Sequence, residues 1–295
     1  MRSSCLFIVF ALSLNSAFSQ SVEHVVIIGV DGMSPDGIQK AATPNMDQLM
    51  QNGAYTFHAR DVLPSSSSQN WASMIMGAGP EQHGITSNDW QLDDHKLPPV
   101  VKTEAGIFPT IFWLIKEDDP EAVTGAIYHW GDFGRLFEKS KVDVDLTFKS
   151  EIATTDAAVK FLLDEQPKFL FVHLDHVDGA GHKFGHGTEK YYGGVERADE
   201  LIGRIVDAIE EAGMKESTLI MISADHGGKG TGHGGESLAE VEIPIILSGP
   251  TTKKGVEFTN PTNIYDIAST VAYVFGIEQP EAWIGRPIRS AFVNP

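Results

Sequence analysis

The sequence predicts an α/β fold, a single doubly wound, mostly parallel sheet with helices on both faces. Three observations carry that prediction. The runs Val25–Val30, Phe169–Leu174 and Leu219–Ile222 are short, continuous and apolar, the texture of strands covered on both faces rather than the alternation of a half-exposed sheet. Segments with helical apolar spacing separate them; the longest, Tyr191–Glu211, places Val195, Ala198, Leu201, Ile202, Ile205, Ala208 and Ile209 on one face. Each run is followed closely by Asp and His residues, as expected where strand C-termini carry the ligand site of an open α/β sheet.

The chain opens on a processing signal. Arg2 supplies a short positive start, Cys5–Leu14 is mostly apolar, and Ala17-Phe18-Ser19 is a small-x-small cleavage site before Gln20. Residues 1–19 are therefore read as a signal peptide, too short to span a bilayer, and residues 20–295 as one exported catalytic domain, periplasmic or secreted. Cys5 is the single cysteine of the 295 residues, so the mature chain forgoes disulfides, thiolate nucleophiles and Cys-ligated zinc. Losing Arg2 takes the formal charge from −18 to −19, which excludes gripping a nucleic-acid duplex by bulk electrostatics. Phosphate chemistry, if present, needs local cations.

Taken in order, Val25–Val30 delivers Asp31 and Gly32 to a strand's carboxyl end. Thr43-Pro44 marks a helix start, with an apolar pattern through Met50 and Gly53 as its stop. The serine run Ser65–Ser68 then leads into a helix expected to begin near Asn70, and free N–H groups at a helix start favour an anion. Asn88 follows Ser67 by 21 residues. Beyond it come a helix over 107–116, a strand over 126–130 and a helix over 152–163.

After the strand Phe169–Leu174, Asp178 and His182 are four apart, so one helical turn points both the same way. The neighbouring His173, His176 and His186 are read as ordinary core or surface residues. The strand Leu219–Ile222 leads to Asp225-His226, and a glycine-rich loop brings His233 back to the same place. Asp and His donors on one loop suit zinc or a similar divalent ion. Ile243–Leu247 is expected as an outer strand and 264–275 as the last helix.

Taken together, these strand-end groups resemble the alkaline phosphatase superfamily, and within it the nucleotide pyrophosphatase/phosphodiesterase branch. The resemblance rests on Gly29-Val30-Asp31-Gly32, Thr43-Pro44-Asn45, Leu63-Pro64 ahead of the serines, Gly79–Ile85, Asp178 to His182, and Asp225-His226-Gly227. It implies an alkaline phosphatase-like fold and two divalent metal ions, best matched by zinc. Asp31, Asp225 and His226 would hold one ion, to which the nucleophile also binds; Asp178, His182 and His233 would hold the other. The resemblance places the nucleophile at Ser67, because the motif runs from Pro64 through a hydroxyl residue to Asn70. It makes Asn88, with the Ser68 N–H, the holder of a phosphoryl oxygen.

The expected activity is thus a two-metal phosphodiesterase or nucleotide pyrophosphatase acting on a small phosphoester through a phosphoseryl intermediate. Several departures bear on it. The branch usually carries Thr at the Ser67 position, and no Arg follows the serine directly. No Lys-x-Arg pair occurs in 125–150, which disfavours a doubly charged monoester, although Arg135, Lys139 and Lys141 lie in that region. A phosphomonoesterase on the same scaffold is the nearest alternative. A sulfatase-like hydrolase lacks its Cys/Ser-x-Pro-x-Arg motif here, and a non-catalytic metal-stabilised module would not need every ligand position filled.

Overall fold

The structure is a computed structural model that describes residues 22–293. The signal-peptide reading of residues 1–19 lies outside the described residues. Eight strands form one sheet: β1 (His24–Val30), β2 (Ala54–Arg60), β3 (Thr124–Tyr128), β4 (Val144–Thr147), β5 (Phe169–Leu174), β6 (Thr218–Ser223), β7 (Glu242–Ser248) and β8 (Val256–Glu257), in the order β4-β3-β5-β1-β6-β7-β2-β8. The helices are α1 (Pro35–Lys40), α2 (Pro44–Gln51), α3 (Ser67–Met76), α4 (Pro80–His83), α5 (Ile111–Asp118), α6 (Glu151–Glu165), α7 (His176–Phe184), α8 (Glu189–Glu211), α9 (Leu238–Val241) and α10 (Asp266–Phe275).

The predicted α/β class holds, with helices in two layers. Helices α1, α2, α6 and α7 pack on α8, whereas α3, α5 and α10 pack on one another. Between the layers, Val25, Val26, Ile28, Leu170, Phe171, Val172, Leu219 and Ile222 are all fully buried, which explains why these strands carry no polar face. Their non-local pairing is parallel and in step: Gly29 sits level with His173 on one side and with Ser223 on the other. That register brings the carboxyl ends of β5, β1 and β6 to one edge.

Three expectations change, the first being the helix read over 107–116, which begins at Ile111 because Thr110 caps it by accepting the Trp113 N–H at 3.2 Å. Ile243–Leu247 belongs to β7, which is not an outer strand: it runs antiparallel between β6 and β2, with β8 beyond. The reason is β2, for which the sequence offers no signal because Ala54–Arg60 mixes small, aromatic and charged residues with no continuous apolar run. The helix expected near Asn70 starts at Ser67. Asn70 instead fastens the turn before it, donating from Nδ2 to the carbonyls of Val62 and Ser66 (3.1 and 3.0 Å) and accepting from the Val62 N–H at 2.7 Å.

Candidate active site

Asp31 leaves the end of β1 and is 1% exposed. Its Oδ2 accepts from Trp71 Nε1 at 3.1 Å and faces His173 Nε2 at 3.2 Å. The Trp130 N–H points at His173 Nδ1 (3.4 Å), which assigns the proton to Nε2 and makes that nitrogen the donor to Asp31. Room for this arrangement comes from Gly29, where a Cβ would lie 2.5 Å from the Trp71 ring. The buried His173 is therefore more than an ordinary core residue. It and Trp71 occupy one oxygen of Asp31 and leave Oδ1 turned toward the next strand.

There, Asp31 Oδ1 meets His226 Nε2 at 3.4 Å, and Asp225 Oδ2 meets the same nitrogen at 3.3 Å. Asp225 Oδ1 accepts from the Gly32 N–H at 3.1 Å; Gly32 has φ +67°, and a Cβ there would come within 3.0 Å of Asp178. Across this gap, on α7, Asp178 faces His182 Nε2 at 3.1 Å through Oδ2, and His233 Nε2 at 3.9 Å through Oδ1. The His226 and His233 rings stack with centroids 3.7 Å apart.

The donor chemistry of these groups fits a cation. Three histidines give their Nδ1–H to a backbone carbonyl: His226 to Gly227 (2.7 Å), His182 to Thr231 (2.9 Å) and His233 to Ser65 (3.0 Å). Each then presents the lone pair of Nε2 to a carboxylate oxygen, an acceptor facing an acceptor. Such pairs repel unless a positive charge lies between them, and fixing the tautomer through the far nitrogen is how metal-ligating histidines are oriented. Asp31 Oδ1, Asp178 Oδ1, Asp225 Oδ2 and His226 Nε2 are buried with no hydrogen-bond partner among the described residues. Among the described residues ligand atoms converge in three triads, Asp31/Asp225/His226, Asp178/His226/His233 and Asp31/His173/Asp175; His182 faces Asp178 but joins none of them.

Electrostatics agree. Burial, reinforced by mutual repulsion, pushes the Asp31 and Asp225 carboxyls well above their usual range and raises Asp178 to about 6. Burial also lowers His226, which keeps its ring neutral and its Nε2 lone pair open to a cation. His186, read from sequence as ordinary, is 3% exposed at its side chain, with both ring nitrogens unpartnered and Nε2 3.9 Å from Asp178 Oδ1. A Cβ on Gly181 or Gly228 would fill its slot. A histidine followed by nothing distinctive gives no such signal in the sequence.

The serine loop closes the site. Ser65 Oγ donates to the Glu240 carbonyl at 2.9 Å and shares a hydrogen bond with the Asp61 carboxyl, Ser66 Oγ accepts from Gln69 at 2.6 Å, and Ser68 Oγ accepts from Arg135 at 3.3 Å. Ser67, first residue of α3, is the one serine of the run whose hydroxyl makes no hydrogen bond to a described residue. The His233–Ser65 bond ties this loop to the ligand loop. The Ser68 N–H, expected to hold a phosphoryl oxygen alongside Asn88, instead spends its one proton on Asn88 Oδ1 at 2.8 Å, leaving the Asn88 Nδ2 free of it.

The family described as type I phosphodiesterase / nucleotide pyrophosphatase matches this chain over residues 25–241. Ectonucleotide pyrophosphatase/phosphodiesterase family member 3 of Rattus norvegicus is 23% identical over 218 residues, 69% of this chain and 24% of that protein. The venom phosphodiesterase of Macrovipera lebetinus is 21% identical over 72% of this chain and 26% of its own length. This chain thus spans about a quarter of those two relatives. Among solved structures, an inactive form of murine ectonucleotide pyrophosphatase / phosphodiesterase 5 in complex with AMP superposes with TM-score 0.73 at 14% identity, over 88% of this chain and 96% of that one, a likeness of fold.

Proposed function

Because the chain belongs to the type I phosphodiesterase / nucleotide pyrophosphatase family, we propose that it hydrolyses a phosphodiester or pyrophosphate bond of a small molecule, with Ser67 as nucleophile and two divalent ions, best matched by zinc. The observation that carries the proposal is the set of three histidines whose Nε2 lone pairs are aimed at carboxylate oxygens, one of them, His233, tied to Ser65 two residues before the unbonded Ser67 hydroxyl. Asp31, Asp225 and His226 would hold one ion together with Ser67 Oγ, and Asp178, His182 and His233 the other. Bound there, the ions would supply the charge that acidifies the serine hydroxyl and stabilises the departing oxygen.

The chain's own residues do the rest. Ser67 Oγ forms a bond to phosphorus as the bond to the leaving oxygen breaks, giving a phosphoseryl ester that water then cleaves. Asn88 Nδ2 holds a non-bridging oxygen, and its Oδ1 is kept in place by the Ser68 N–H. The N-terminus of α3 adds favourable dipole charge. Of the cations in 125–150 that could meet a second phosphate charge, Lys139 is paired with Asp145 and Lys141 with Glu117, both at 2.6 Å, which supports diester preference; Arg135 is the one that contacts Ser68 and Asn88. We further propose that residues 20–295 form one exported catalytic domain. Among the described residues, no helix is long and apolar enough to cross a membrane.

The test is hydrolysis of a nitrophenyl phosphodiester against the matching monoester by zinc-loaded protein, with Ser67→Ala as control. Diester preference abolished in the variant is expected. Monoester preference would make the protein a phosphatase, and no turnover of either would leave a metal-stabilised binding module.

A further inference from the structure

Arg135 is drawn into the site by contacts that the proposed chemistry does not yet use. Its Nη2 donates to Ser68 Oγ at 3.3 Å and to the backbone carbonyl of Asn88. Its Nη1 pairs with Asp132 at 3.3 Å, and its Cζ lies 6.0 Å from the centroid of the Trp130 ring. The side chain is 17% exposed, and its Nε is buried without a partner. Asn88 lies on an exposed turn, and its hydrogen bonds among the described residues are two: one from the Ser68 N–H and one from Arg135. The guanidinium therefore grips both ends of the same contact, the Ser68 side chain and the Asn88 backbone.

We infer that Arg135 is a positioning residue that clamps Asn88 to the start of α3, holding the Asn88 amide where it meets the phosphoryl oxygen; this rests on the reading of Ser67 and Asn88 given above. An exposed asparagine on a turn loses side-chain entropy when it is held in one rotamer, and a single bond from Ser68 does little to offset that. A planar, permanently charged fork with several donors fixes backbone and side chain together, which a lysine cannot reproduce. Misplacing a transition-state contact by about 1 Å can cost on the order of 100-fold in rate.

The experiment is a double-mutant cycle on zinc-loaded protein with the nitrophenyl diester, using Arg135→Gln, Asn88→Ala and the pair, with Arg135→Lys as a milder variant. Arg135→Gln should lower kcat about 10- to 100-fold with KM little changed. In the Asn88→Ala background the same change should have almost no further effect, because the amide it positions is gone. Equal losses in both backgrounds, or no loss in either, overturn the clamp. Hydrogen exchange reads the clamp independently of turnover: Arg135→Gln should speed exchange at Ser68 and across residues 84–92, and unchanged exchange overturns the inference. Wild-type protein without diester turnover would sink the phosphodiesterase reading alone, leaving exchange as the test of the clamp. If Arg135→Gln does not fold, Arg135→Lys carries the same comparisons.

Discussion

At the scale of single residues, the site depends on which ring nitrogen holds a proton. His182, His226 and His233 each donate Nδ1–H to a backbone carbonyl, so each offers Nε2, and even Gly227, which stands in the Asp225-His226-Gly227 motif, accepts through a carbonyl that any residue would carry. The candidate ligands were legible because Asp and His recur at strand ends. The partners that aim them, Thr231, Gly227 and Ser65, were not, because any residue has a carbonyl. Asn88→Ala should lower kcat/KM by about 3 kcal/mol, the loss of one oxyanion donor, read from diester kinetics; a loss under tenfold would remove Asn88 from that role. Asp61 gives a pH prediction. Burial pushes it up to about 8, against the hydrogen bond from Ser65. The unfolded chain releases that proton near pH 4, so between about 4 and 8 the folded state binds more protons. Asp61's contribution is full below that window and is lost as pH rises through about 8. Asp61→Asn keeps an acceptor for Ser65 and should flatten the fall in stability between pH 5 and 8, measured by urea unfolding; an unaltered slope would assign it to another group.

At the scale of elements, β1 and α3 are built to fit each other. Gly29 lets the Trp71 ring from α3 lie on β1, packed 4.8 Å from the His173 ring and bonded to Asp31. Gly29→Ala should therefore destabilise the fold by about 1–3 kcal/mol through overpacking and weaken zinc binding as well. Thermal melting and zinc competition with a chromophoric chelator would read the two effects, and a normal melt with normal zinc affinity would contradict this packing account. α3 is also held from outside the site: His83 accepts the Ile85 N–H at Nδ1 (3.0 Å), which leaves Nε2–H for Ser73 Oγ at 3.0 Å. His83 belongs to a motif that carried the resemblance, yet its work is structural. Sequence periodicity found α6, α8, β1, β5 and β6 within a residue or two. It missed β2, whose stability comes from pairing with β7 rather than from its own composition.

At the scale of the whole molecule, three buried carboxylates at one sheet edge call for a counter-charge, which the proposed two-ion reading assigns to metal. Asp31, Asp178 and Asp225 are buried within a chain of formal charge −18. A cation that binds only the folded state stabilises it in proportion to the logarithm of its concentration over Kd, about 4 kcal/mol at a thousandfold excess. Chelation should thus lower Tm by several degrees and abolish diester turnover, and zinc should restore both. An unchanged Tm after metal removal confirmed by elemental analysis would mean that the carboxylates are neutralised by protons instead.

The sequence by itself determined the fold class, the strand ends that carry Asp and His, and the placement of Ser67 between Pro64 and Asn70. These are local properties: apolar runs mark buried strands, and short spacings mark turns. Tertiary structure alone decided that β7 runs antiparallel inside the sheet, that His173 and Trp71 take one oxygen of Asp31, and that Arg135 reaches Ser68 and Asn88. Each of those depends on groups dozens of residues apart meeting at a particular distance and angle. Pattern along the chain carries no such information until the parallel register of β5, β1 and β6 brings the groups to one edge.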